Sequence, residues 1–384
     1  MTTMSDTRVV SEKSFLLEGQ VTRSRRGSLF LSTQSDEPCG VEIFTRKLVA
    51  ALKTSDPDSG YELLCVSRRW RDLPSVLRRI AQTDRIVFSV PLVAWKQVLI
   101  IPLVLLLFAF TTRRPISVFL HEWSSLHWLR RLSLIPFVAL SESILALSPY
   151  IRDQIASDRW IAGAAKKCRL IPHPPTIRRP DHVKLTDTVR RIEQAAEDCD
   201  IVIGYFGAIY RGKTPTALLE ICDHLRNRGI RALVVFIGSF TKSLDDYEGQ
   251  FRAKMRDMAL ERQVIITGYI ETEEELFALF ERVGAFLFHF PEGLTARRSS
   301  VIACLQSNRP VIVSAPQSRN EFLHHEGLTA LIKSGALSFV SRSASADEIA
   351  DQLLAAANRG TSASPAIDVN AWWAATTTAA RAVL

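Results

Sequence analysis

Cysteine is scarce and poorly placed for chemistry. The six residues Cys39, Cys65, Cys168, Cys199, Cys222 and Cys304 form no Cys-x-x-Cys pair and no ligand spacing with histidine, which argues against a zinc site or a disulfide scaffold and fits a reducing compartment. Glycine and proline, 17 of each in 384 residues, are too few for a collagen-like or low-complexity chain. With 47% hydrophobic and 23% charged residues, whole-chain disorder is excluded as well. Met1 to Gly27 is polar, contains Asp and Glu, and lacks an apolar stretch ending in a small-residue cleavage site. The expectation is a chain that is not exported, with residues 1–27 as a loose tail.

What is present is enough apolar material for two α/β domains, since 384 residues are too many for one compact core. The formal charge of +8 is uneven: residues 1–180 hold 26 basic against 15 acidic side chains, and the remainder 22 against 25. A basic first half suits nucleic acid, anionic lipid or phosphorylated substrates. Nucleic acid is not expected, because the basic residues come as separated pairs (Arg68 and Arg69, Arg78 and Arg79, Arg113 and Arg114, Arg130 and Arg131) without a recognition-helix or aromatic-platform pattern.

Short apolar runs alternate with helical periodicity along the chain. Strands are expected at 28–32, 61–66, 85–90, 116–120 and 144–147, and a second series at 201–206, 232–237, 264–267, 285–288 and 311–314, with helices at 41–52, 73–81, 148–156, 214–228, 247–260, 273–282 and 299–306. Such alternation implies parallel pairing and doubly wound sheets. The polar, proline-containing stretch from Pro172 to Asp200 reads as the connection between two lobes, with a charged helix inside it. The expected division is therefore 28–180, a linker at 181–200, 201–365, and a terminal helix at 366–384.

One segment leaves three readings open. From Ile86 to Phe110 the only basic side chain is Lys96, and Val98 to Phe110 is wholly apolar apart from Pro102. It suits a buried helix, a helix dipping into one membrane leaflet, or a span. The preceding stretch, Trp70 to Ile80, is amphipathic (Trp70, Leu73, Val76, Leu77, Ile80) and carries Arg78 and Arg79, which makes these two arginines candidates for docking on an anionic membrane surface.

The candidate chemistry lies in the second half. At Ile201 to Leu219 a strand ends in Gly207, a short loop carries Arg211 and Lys213, and a helix follows. A glycine there permits close backbone approach, and the lysine offers a point charge to phosphate oxygens. The glycine spacing is not that of the dinucleotide fingerprint, and the plain alternative is an ordinary strand–loop–helix with solvated charges. At Ala285 to Ser314 a buried strand runs into Pro291, Glu292 and Gly293, and a polar stretch (Thr295, Arg297, Arg298, Ser300) enters an apolar helix. In an open α/β sheet this is where ligands bind. Glu292 is a candidate for sugar hydroxyls, and the helix start at Thr295 to Ser300 a candidate second anion site; equally, Glu292 could cap the helix while Arg297 and Arg298 face water.

Taken in order, these segments resemble the retaining GT-B glycosyltransferases, family 4 in particular and its bacterial polysaccharide enzymes. The likeness covers nearly the whole chain from Ser28. It is carried by Gly40 to Leu48, by Leu120-His121-Glu122, by Ala146 to Ile151, and by Arg169 to Pro174. In the second half it is carried by Gly207 to Lys213, Ile237-Gly238, Val264 to Gly268 and Glu292-Gly293. The resemblance implies two Rossmann-like domains facing across a cleft and transfer of a sugar, with retention, from a nucleoside-diphosphate sugar to a saccharide acceptor. That acceptor would be lipid-linked, in surface or exopolysaccharide assembly at the inner face of the plasma membrane. It implies no metal and no cofactor beyond the nucleotide sugar.

By the same resemblance, Lys213 would hold the diphosphate, His121 and Glu292 would contact the transferred sugar, and Gly40 would sit near the reacting centre. The donor would also meet Gly207, Arg211, Gly293, Thr295, Arg297, Arg298 and Ser300. Two positions depart from the family pattern: Ala208 stands where an arginine is usual, with Arg211 the nearest replacement, and Ser300 stands in place of the second glutamate that holds the ribose. A polysaccharide subgroup with Gly-x-(Ser/Thr)-x-Arg-Arg-x-Ser looks like this chain, so that Arg297 or Arg298 would take phosphate charge instead. Two other classes stay open, a catalytically silent scaffold of the same fold and a membrane-anchored binding protein.

Overall fold

The computed structural model describes residues 27–33, 39–67, 69–92, 95, 100–241, 246–358 and 366–384. Most of the expected tail 1–27, Arg68, Lys96, Val98 and residues 359–365 lie outside them.

The first lobe runs β1 (Ser28–Ser32), α1 (Gly40–Ser55), β2 (Glu62–Cys65), α2 (Leu73–Ala81), β3 (Arg85–Val90), α3 (Ile100–Thr111), β4 (Ile116–Leu120), α4 (Trp128–Leu140), β5 (Ser143–Ala146), α5 (Pro149–Ser157) and β6 (Cys168–Leu170). Its strands pair in parallel in the order β2-β1-β3-β4-β5-β6. The central strands are buried at every position or nearly so, as a parallel sheet covered on both faces demands. One core lies under α2, α3, α4 and α5, the other under α1.

The second lobe begins earlier than residue 201. α6 (Asp187–Ala196), capped by Thr186, inserts Val189 and Ile192 into the second core, so the charged helix of the connection belongs to this lobe rather than to a free linker. Then follow β7 (Ile201–Phe206), α7 (Thr216–Asn227), β8 (Ala232–Ile237), α8 (Tyr247–Asp257), β9 (Val264–Ile266), α9 (Glu273–Phe280), β10 (Ala285–Phe288), α10 (Ser299–Leu305), β11 (Val311–Ser314), α11 (Glu326–Lys333), β12 (Leu337–Val340) and α12 (Ala346–Asn358). The parallel order is β12-β11-β10-β7-β8-β9. The order in which successive strands are added reverses between β7 and β10, and the crevice beyond the carboxyl ends of those strands is the place such a sheet offers a ligand.

A last helix, α13 (Val369–Arg381), packs on α1 of the first lobe. Trp373 stacks on Phe44 and donates from Nε1 to the Pro175 carbonyl at 3.1 Å, Thr376 donates to the Pro172 carbonyl at 2.9 Å, and Arg381 meets Asp56 at 3.1 Å.

Of the three readings of the segment around 100–110, the buried helix accounts for most of α3: Ile101, Leu105, Leu106 and Ala109 are buried, and no helix among the described residues is long and apolar enough to cross a membrane. The amphipathic face of α2 also turns inward, with Val76 and Ile80 buried, while Arg78 and Arg79 are exposed and Arg79 is paired with Glu62. Around this segment, apolar side chains left open include Ile100, Leu107 and Phe110 of α3 and Trp128, Leu129 and Leu132 of α4, with Trp70 just ahead of α2.

Candidate active site

Between the lobes lies a cleft of about 650 Å³. From the first lobe it receives Gly40 at the start of α1, His121 and Glu122 just after β4, and Arg130 on α4. From the second it receives Gly207 after β7, Lys213, and Arg297, Arg298 and Ser300 at the entry to α10. Both sets sit beyond strand carboxyl ends, and the second set sits at the β7/β10 reversal.

The cations of this cleft are held by short local rules. Gly207 has φ +117°, and a Cβ there would come to 3.2 Å from Lys213 Nζ, so only glycine leaves the backbone bare beside the ammonium. Lys213 ends a short helical turn, and its Nζ lies 5.4 Å from the centre of the Tyr210 ring. Among the described residues it has no ion-pair or hydrogen-bond partner. Burial, followed by the nearby Arg298 and Arg297, lowers its pKa to about 7. A buried ammonium beside two guanidiniums is a group whose charged form a bound anion would favour.

Arg298 lies over the Phe290 ring at 4.4 Å and pairs with Glu292. Arg297 reaches across the lobes to Glu122 at 3.2 Å and to the His121 carbonyl at 3.4 Å. His121 is 7% exposed, stacked on Phe119, and its Nε2 has no partner. Burial, then His173 and Arg297, depresses its pKa to about 3, so it is a neutral imidazole with a free ring nitrogen at the cleft wall.

Not every sequence-level candidate arrives here. Arg211 does not line the cleft; it donates to Gln250 at 2.6 Å and lies over the Tyr247 ring, because in the short 3₁₀ turn 211–213, with three residues per turn, side chains two apart point in different directions. Glu292 and Thr295 line a neighbouring hollow of about 570 Å³. The turn between them is fixed by Gly293, whose φ is +75° and where a Cβ would come to 2.0 Å from the Ala315 carbonyl oxygen. The Arg298–Glu292 pair forms the partition between cleft and hollow.

The sequence reading missed what ties the lobes together. Glu321, 3% exposed, accepts from Ser148 at the N-cap of α5 and from the Ala296 amide at 2.8 Å. Burial raises its pKa while these donors oppose the shift. His324 bonds to the Leu147 carbonyl at 3.1 Å, and His325 to the His173 carbonyl at 2.8 Å. The only local signal was Ser148-Pro149, a helix-start pair.

No family model matches the chain, and no curated protein does either. Solved structures do. HepE (Alr3699) of Anabaena, in complex with UDP-glucose, is similar with a TM-score of 0.61 and 15% identity, covering 94% of this chain and 98% of its own. Sucrose-phosphate synthase of Thermosynechococcus elongatus gives 0.57 and 14%, covering 94% and 95%. A glycosyltransferase of Rickettsia africae gives 0.53 and 11%, covering 93% of each chain. The chain has the GT-B fold.

Proposed function

We propose that this protein is a retaining glycosyltransferase that moves a sugar from a nucleoside diphosphate to a saccharide acceptor. The observation that carries the reading is the convergence of Lys213, Arg297 and Arg298 on one interlobe cleft, at the strand reversal of the second sheet. Departure of a nucleoside diphosphate builds negative charge, and fixed cations in a partly dry cleft stabilise it without rearranging when the charge develops. HepE was solved with UDP and with UDP-glucose, so UDP is the nucleotide to test first.

In this reading Lys213 and Arg298 hold the diphosphate against the bare backbone at Gly207. The free Nε2 of the neutral His121 hydrogen-bonds the sugar or its phosphate. Glu292 contacts the sugar ring from the partition, and Ser300 takes the place of the absent ribose glutamate. The charge neutralisation assigned to these side chains asks for no metal and no cofactor besides the nucleotide sugar. The acceptor is lipid-linked, and the first lobe docks on an anionic membrane through the open apolar surface of α3 and α4 with Arg78 nearby. Exopolysaccharide assembly at the inner membrane face is the setting that fits.

Calorimetric titration with UDP and UDP-glucose tests the reading. Saturable binding by the wild type, weakened about tenfold or more in Lys213→Ala, is expected; a wild type that binds neither ligand rejects it. Ala208 and the outward-turned Arg211 favour one second reading, a binding-only scaffold. Tight UDP-glucose binding without release of UDP in the presence of any acceptor would select that reading.

A further inference from the structure

We infer that the hollow on the far side of the Arg298–Glu292 partition holds a ring of the acceptor saccharide, an inference that rests on the glycosyltransferase reading. At about 570 Å³ it is within the range of roughly 300–1,000 Å³ common for small-ligand sites. One wall is a single stripe of α5, Tyr150, Asp153, Gln154 and Ser157, residues three or four apart that share a helix face. The opposite wall comes from the second lobe, so the hollow exists only because the two lobes are tied, and Glu321 with Ser148 fixes their separation at its floor.

A solvated gap between domains would also carry polar side chains, but two observations go further. Thr295 is 3% exposed, lines the hollow, and its Oγ1 has no hydrogen-bond partner among the described residues. A buried hydroxyl left unsatisfied is costly and is the kind of group a ligand completes. Glu292 lines the hollow while its partner Arg298 lines the cleft, which puts the two spaces one ion pair apart. A group-transfer site needs its acceptor next to the donor, with reacting atoms about 3–3.5 Å apart, and this hollow is next to the cleft. The ligand class follows from the lining: carboxylates outnumber its single arginine, Arg131, with amides and hydroxyls beside them. That set repels phosphate and accepts from the hydroxyls of a neutral sugar.

Saturation-transfer NMR with lactose and maltose as probes, on the full chain saturated with UDP, tests this. Transfer to ring protons of at least one disaccharide is expected with the wild type. It should disappear in Ser157→Trp, which fills the hollow from an exposed helix position, and weaken severalfold in Asp153→Ala. UDP-induced thermal stabilisation should be the same in all three proteins. UDP binding without any saccharide signal, or a signal that survives both substitutions, overturns the inference and leaves the donor reading intact. A signal abolished by UDP-glucose but not by UDP assigns the hollow to the donor's own hexose and overturns it too. Absence of UDP binding removes the reading on which it stands.

Discussion

The two lobes share an architecture and differ in where their charge sits. Each has six parallel strands with one reversal of order, between β1 and β3 in the first and between β7 and β10 in the second. The first lobe carries the basic excess of the chain, yet many of its arginines are spread over its outer surface, as at Arg78, Arg79 and Arg113. The second lobe is slightly acidic overall but supplies Lys213, Arg297 and Arg298 to the cleft. Net charge is therefore a poor guide to where an anion would be held: three cations at a strand reversal and partly shielded from water would outweigh a larger number screened on a surface.

The comparison can be broken first at the cores. Phe88 in the first lobe and Phe286 in the second are both 0% exposed, and Phe→Ala at either should cost about 3–5 kcal/mol. Chemical denaturation followed by tryptophan fluorescence checks this; a single shifted transition for both variants shows that the interlobe ties make one cooperative unit, and two transitions show that they do not.

Next in size is the contrast between cleft and surface cations. Lys213→Ala and Arg298→Ala should each weaken UDP binding by about 1.5–3 kcal/mol, the value of a charge-assisted hydrogen bond. The double charge reversal of Arg78 and Arg79 should leave calorimetric UDP affinity unchanged. Equal losses in both sets would mean that general charge, not the cleft, attracts the nucleotide.

The third test is pH. Lys213, with its pKa near 7 in the free protein, must be charged when a diphosphate sits on it, so affinity for UDP-glucose, whose diphosphate lacks the terminal phosphate that titrates near pH 6, should be flat below pH 7 and fall by up to about tenfold per unit above it. Lys213→Arg should remove the fall. The histidines act in the opposite range. His121 and His173 have folded-state pKa values depressed to about 3 from 6.5, mainly by burial. The unfolded chain therefore binds protons that the folded one refuses, and thermal stability should be full above pH 6.5 and decline steadily as pH is lowered toward 3. A melting temperature independent of pH between 6.5 and 4 would contradict their burial as neutral rings.

The smallest expected effect concerns the first lobe's surface. Reversing Arg78 and Arg79 should reduce co-sedimentation with vesicles of phosphatidylglycerol by about 1 kcal/mol per charge, and Leu129→Ser with Leu132→Ser should reduce it on neutral vesicles. Unchanged sedimentation in both variants would leave the apolar surface of α3 and α4 without a membrane role.

Much of the fold was legible because local patterns and tertiary packing agree. The buried strands at 28–32, 85–90, 116–120, 201–206 and 232–237 are near-continuous apolar runs, and the structure places a strand at each. α4 and the short β6 and β12 were not legible, since Trp128, Leu129 and Leu132 stay exposed and blur the helical period, while Arg169 and Ser338 interrupt the apolar runs of β6 and β12. At the site, Gly207 and Lys213 stood out as a strand end followed by a charged loop, but the neighbouring Arg211 could not be told from Lys213 by spacing.

By itself the sequence determined two parallel α/β lobes, their glycine-marked turns and the residue types available to meet an anion, because hydrophobic period and backbone freedom act over a few residues. Only the tertiary structure decided that Arg298 holds Glu292 in a partition, that Arg211 faces outward, and that Glu122, Ser148 and Glu321 join the lobes. The interlobe contacts join residues more than 170 positions apart, and even the nearer pairs depend on which of several neighbouring charges the packed backbone brings within reach.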